Sequence, residues 1–212
     1  MRRLFHRVFD WRRVGSWCGL AAPIIFIVCW AAAIASTPGY RFGGQWVSDL
    51  GVGGGAAYFN AGAIVSGVLT VPFAASLAKA LDSERLGWFG ALTLAGAGIS
   101  LACIGVFTED AGEAHLDVSV SFFVLMPMSL ISLIHPFYKS AAMRPWGAHF
   151  TVIVALIGLG LLAVFQAGPL TETAVVAMII VWSIPIAWRL RVYLCVIPPR
   201  TRSEPKSSMK AA

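Results

Sequence analysis

Six stretches of this chain are each apolar for long enough to cross a lipid bilayer: 17–35, 57–80, 88–107, 117–138, 147–166 and 172–194. A span needs roughly 17–25 mostly apolar residues. Inside hydrocarbon every backbone N–H and C=O must be satisfied by the protein itself, and within one segment only a helix does that. Of the 212 residues, 58% are hydrophobic and 12% charged, against about 25% charged in soluble domains. The expected fold is therefore all-α: a polytopic six-transmembrane-helix bundle filling 17–195, with no stretch left over for a second soluble domain.

The flanks are basic. In residues 1–16, Leu4, Phe5, Val8, Phe9 and Trp11 gather on one side of a helix, and Arg2, Arg3, His6, Asp10 and Arg13 on the other. That pattern suits an amphipathic segment lying in the headgroup layer. The first apolar run exceeds the roughly 7–15 residues of a signal-peptide core, so it reads as a retained span. The tail 196–212 is polar, Pro/Ser-rich and basic, and reads as disordered. Six spans put both termini on one side, together with Arg2, Arg3, Arg7, Arg12, Arg13, Lys79, Arg85, Lys139, Arg144, Arg189, Arg191, Arg200, Arg202, Lys206 and Lys210. The other side receives Arg41 alone. Positive residues stay inside, so both termini are expected in the cytoplasm and the protein in the cell membrane. The net charge of +6 is thus an orientation signal. No basic face with interleaved aromatics exists to bind nucleic acid.

Pro72, Pro127 and Pro185 fall inside the second, fourth and sixth spans. Each removes a helical hydrogen bond, and together they are expected to open a cleft toward the outer face. In the third span Gly87, Ala91, Ala95, Gly98, Ala102 and Gly105 recur every three or four residues. Such a stripe lets helices approach closely, either inside the bundle or across a homodimer. The four cysteines stand singly in apolar runs and read as packing residues.

Between the third and fourth spans sits a polar plug, Gly105 to Asp117, with four of the ten acidic residues and no Lys or Arg. Topology delivers it to the same face as the loop 36–56. That face collects Arg41, Ser48, Asp49, Glu109, Asp110, Glu113, His115, Asp117 and Glu172, with Asn60 and Ser119 just inside the neighbouring spans. Ionisable groups at a membrane boundary are costly and mark function. The candidate ligand-binding set is Ser48, Asp49, Asn60, Glu109, Asp110, His115, Ser119 and Arg41. Carboxylates held together need a cation or a donor among them. Asp49, Glu109, Asp110 and His115 are candidate ligands for a divalent cation, the cofactor question being otherwise open. Only His115 among the four histidines faces this side, which rules out a three-His zinc site. Ser48 with His115 and a carboxylate is a weak candidate triad, since Ser48 has no G-x-S-x-G setting.

Tyr40, Ser48-Asp49-Leu50-Gly51, Phe59-Asn60 and Gly105-Val106-Phe107-Thr108-Glu109-Asp110 with His115 together resemble domain-of-unknown-function family 998. This is a family of uncharacterised prokaryotic multi-pass membrane proteins, and the resemblance covers about 17–195. Thr108 stands where that family's G-x-F-P-E-D pattern has Pro. The Ser-Asp-Leu-Gly loop and six-span layout are similar, more remotely, to damage-regulated autophagy modulator-like proteins, some of whose relatives the resemblance links to lipid handling. Three classes of function follow. The first is binding of a lipid headgroup or cation at the outward acidic site. The second is a membrane-embedded metal-dependent hydrolase or transferase acting on lipid. The third is a small-solute transporter, disfavoured because no ionisable residue sits mid-span.

Overall fold

The computed structural model describes residues 11–81, 85–143, 145–166 and 168–196. Six α-helices account for most of them: α1 Trp11–Ala35, α2 Ala56–Ala80, α3 Arg85–Val106, α4 Glu113–Lys139, α5 Trp146–Phe165 and α6 Pro169–Val196. Two single 3-10 turns, Ser48–Gly51 and Glu109–Ala111, interrupt the connections. All six helices are long and apolar enough to cross a membrane, and all regular structure among the described residues is helical. The all-α, six-helix expectation holds.

Two boundaries differ most from it. Trp11–Ser16, assigned above to the amphipathic flank, run unbroken into α1; residues 1–10 and the tail 197–212 lie outside the described residues. α4 begins at Glu113 rather than 117, so the second half of the plug is helical. Gly112, at φ +61°, makes the left-handed step that starts it, a conformation glycine adopts without strain. Pro169 opens α6, where its missing N–H costs nothing.

Helices consecutive in sequence pack side by side, and α6 returns against α1 to close a ring. The first four are held by close approach. A Cβ on Gly67 of α2 would lie within 2.4 Å of the Gly98 carbonyl oxygen on α3, and one on Gly15 of α1 within 2.3 Å of the Pro72 oxygen. In the stripe of α3, Gly98 and Gly105 lie against α2, and Gly87 lies near Pro136 of α4. Hydroxyls bridge the same helices: Ser66 Oγ donates to the Ala22 oxygen (2.8 Å) and Ser129 Oγ to the Gly90 oxygen (2.8 Å). Such contacts carry association in lipid, where no hydrophobic force separates helix from solvent.

α5 is held differently. Its buried residues are Gly147, Ala148, Thr151, Val154 and Ala155, all in its first half. There Thr151 accepts a hydrogen bond from the fully buried Trp182 indole of α6 (2.9 Å). Beyond Ala155 the helix presents Leu156, Ile157, Leu159, Val164 and Phe165 outward. All four cysteines are free.

Candidate functional site

Five segments meet at one end of the bundle: the C-terminal end of α1, the 36–55 loop, the N-terminus of α2, the 107–112 connection and the N-terminus of α6. The loop is clasped at both ends by Thr37, whose hydroxyl donates to the Ala33 oxygen (2.9 Å) and accepts from the Gly55 N–H (3.1 Å). Val47 and Leu50 are sunk in the core at 2% and 0% exposure. These two anchors fix the 3-10 turn between them and therefore Ser48 and Asp49.

Three carboxylates from three separate segments converge there. Asp49 accepts the Trp46 N–H (3.0 Å) and hydrogen-bonds to the carboxyl of Glu109. Two carboxyl groups can share such a bond only if one is protonated. Glu109 is the one held back: burial, then the hydrogen bond and the charge of Asp49, raise its pKa from 4.5 to about 7. Glu172, in the first turn of α6, accepts the Val47 N–H at 2.7 Å and faces the N–H of Ser48. Its carboxyl oxygens cap the 3-10 turn from the first turn of α6. Tyr40, whose hydroxyl donates to the Trp46 oxygen (3.4 Å), has its pKa raised by burial and then by the charges of Glu172 and Asp49. Glu172 is absent from the candidate set, yet it links the first loop to the last helix. The one sequence signal for it is an acidic residue three positions after a helix-opening proline.

The remaining candidates divide. Asp110 is exposed and hydrogen-bonded to the Thr108 hydroxyl. His115 Nδ1 lies 2.7 Å from the Phe107 oxygen, which can only accept, so Nδ1 carries the proton. Nε2 then accepts from Ser119 Oγ at 3.3 Å. His115 thus ties the start of α4 to the end of α3, and it pairs with Ser119 rather than Ser48. Asn60 Nδ2 donates to the Gly51 oxygen (3.0 Å), while its Oδ1 is buried with no donor. Arg41 is exposed, and its backbone N–H donates to Gln45. Among the described residues no group of three His, Cys, Asp or Glu side chains is arranged to hold a metal ion.

Below this cluster a cavity runs into the bundle between α1, α2, α3, α4 and α6. It leaves about 100 Å³ open to the centre of a water molecule. Ser48, Ser119 and Glu172 stand at its acidic end, and Ser66, Thr70 and Ser183 are the other polar residues on its walls. Phenylalanines, leucines and isoleucines supply much of the rest. Glu172 and Ser183 are eleven positions apart on α6, so the cavity extends about 16 Å along the helix. Of the prolines expected to open a cleft, Pro72, Pro127 and Pro185 are all absent from this wall, and Pro23 of α1 is present. The Pro72 carbonyl faces Gly15 of α1 instead.

The family model described as "Protein of unknown function (DUF998)" matches residues 20–189. The chain belongs to this family. The match runs from within α1 to within α6 and includes both polar connections at the acidic end. No curated protein and no solved structure matches the chain, and the likeness to damage-regulated autophagy modulator-like proteins finds no support there. This member of the DUF998 family is a multi-pass membrane protein.

Proposed function

We propose that the protein binds a membrane amphiphile, with the aliphatic chain in the central cavity and a cationic or hydrogen-donating headgroup at Ser48, Asp49, Glu109 and Glu172. One observation carries this reading: an apolar cavity ends at Ser48, Ser119 and Glu172, and the carboxylates of Asp49 and Glu109 stand next to that end. Pockets for small molecules have this make-up, apolar walls with a few placed polar groups. The carboxyl oxygens of Asp49 and Glu172 make this end rich in acceptors, and the buried, undonated Asn60 Oδ1 adds another nearby. A donor-rich headgroup complements it; a phosphate or carboxylate is repelled. The test is binding of a long-chain amine and of the matching fatty acid to the purified protein. The amine should bind more tightly, and Asp49→Asn with Glu172→Gln should erase the preference. Equal binding of both in the unmodified protein would overturn the reading.

In the cell we place the acidic end outside, with both termini in the cytoplasm of a cell-membrane protein. The fifteen-to-one distribution of Lys and Arg supports it. In a cysteine-free background, an impermeant thiol reagent applied from outside should label Gly53→Cys and spare Ala141→Cys. The opposite pattern reverses the orientation.

A second reading has one specific observation behind it. Ser119, on the cavity wall, lies 3.3 Å from the neutral Nε2 of His115. In that reading Ser119 Oγ bonds to the acyl carbon of a lipid ester as its proton passes to His115. The leaving alcohol takes that proton, and water then releases the acid. A fluorophosphonate should label Ser119 and not Ser119→Ala; no labelling removes this reading and leaves the binding role.

A further inference from the structure

A second hollow lies beside the central cavity, between α4, α5 and α6, and every residue around it is apolar. Phe123, Met126 and Ile179 line both spaces, so the wall between them is a single layer of side chains. That wall is built to yield. Met126 has an unbranched, adaptable side chain. Pro127 lacks the N–H that would bond the Phe123 carbonyl, so α4 is not fully hydrogen-bonded at the wall. The cover is loose as well. α5 buries no residue beyond Ala155, and a Cβ at Gly158, on the hollow's rim, would meet nothing within 4 Å.

We propose that this hollow is a side entrance, through which one aliphatic chain of a lipid in the surrounding leaflet passes between α4 and α6 into the central cavity. The proposal rests on the amphiphile-binding reading of that cavity. The occupant follows from depth and continuity. The hollow lies in the span of α5 whose outward residues, Leu156 and Ile157, face the bilayer. At that depth the medium is acyl chains, so an apolar opening is filled by one of them. Entry from the acidic rim would drag the chain through water and past the carboxylates. Entry from the side keeps it in hydrocarbon throughout, and the headgroup then travels along the membrane surface to the rim.

The test uses full-length protein in phosphatidylcholine vesicles doped with a long-chain amine that carries a diazirine midway along its chain. After illumination, mass spectrometry locates the labelled residues. Label is expected on Ala97 and Leu101 of the inner wall, as well as on the lipid-facing Leu92. Gly158→Trp fills the hollow from open space, so the fold should survive it. It should slow inner-wall labelling several-fold and leave Leu92 unchanged. Met126→Ala, which thins the wall, should speed inner labelling. Unchanged inner labelling in Gly158→Trp overturns the side entrance while leaving the cavity reading intact. No inner label in the unmodified protein overturns both. If the hollow is a seat for a second copy, Gly158→Trp converts dimer to monomer, and that too overturns the proposal. Should Gly158→Trp fail to fold, Gly158→Leu replaces it with the same expectations.

Discussion

The first four helices and the fifth solve the same problem in opposite ways. α1 to α3 approach until backbones touch, at Gly15, Gly67 and Gly98, Leu133 of α4 fills the space over Gly90, and serine hydroxyls bond across the seams. α5 is secured only along its first half, with Thr151 and Trp182 as its buried hydrogen bond to α6. α5 is the most apolar of the six helices, yet it buries the smallest share of itself. In lipid, apolar surface alone does not bind helix to helix. What separates a fixed helix from a movable one is therefore backbone proximity and hydrogen bonding. The four-helix half holds the shape of the cavity, while α5 covers its weakest wall.

The largest test of this contrast sets Gly67→Leu against Gly158→Leu. A side chain at Gly67 meets the Gly98 oxygen and the Ala102 nitrogen, both backbone atoms that cannot swing away. Its cost should reach about 3 kcal/mol or more, seen as loss of folded protein in detergent. Gly158→Leu should change stability by less than about 0.5 kcal/mol. Similar losses from both would break the comparison. A smaller effect is expected at the single tether of α5. Thr151→Val strands the buried Trp182 N–H and should cost about 1–3 kcal/mol. Ser129→Ala, inside the tight half, leaves only a carbonyl with another partner and should cost about 0.6 kcal/mol. Thermal unfolding that ranks them the other way would show that α5 is not the loosely held element.

The next effect concerns pH. Glu109 binds its proton more tightly folded, with a pKa of about 7, than unfolded, near 4.5. Its contribution to stability is therefore complete below pH 4.5 and is lost as pH rises through 7. Infrared spectra should show a protonated-carboxyl band that fades around pH 7 and is weaker in Glu109→Gln. Asp49→Asn should move its midpoint to lower pH, since a neighbouring charge is gone. A band that titrates entirely below pH 5 would refute the shared proton. The smallest effect is Gly160→Ala, next to the hollow but in open space; unfolding temperature and amine binding should both stay at the unmodified values.

Helix count and order could be read directly from the apolar runs. The ends of α1 and α4 could not, because polarity marks the membrane surface while the helix continues past it, as at Trp11–Ser16 and Glu113–Asp117. In the site, topology brings Asp49 to Glu109, which shared membrane sidedness foretells. Asp110 and His115 go elsewhere because near neighbours satisfy them first, Thr108 for one, Phe107 and Ser119 for the other. Glu172 is placed on the right face but left out of the candidate set for a different reason. Its partners are backbone N–H groups, and no residue type advertises those. The cavity was invisible too, since a phenylalanine lining a space and one filling it are spelled alike.

The bond from Val47 to Glu172 spans 125 positions, and this sets the order in which the protein can be built. Five spans can enter the bilayer and begin to pack while the first loop still lacks its cap. Only when the last helix arrives does Glu172 reach the Val47 N–H, close the ring against α1 and complete the acidic rim. A nascent or truncated chain short of α6 thus lacks both the closed ring and the third carboxylate of the acidic end.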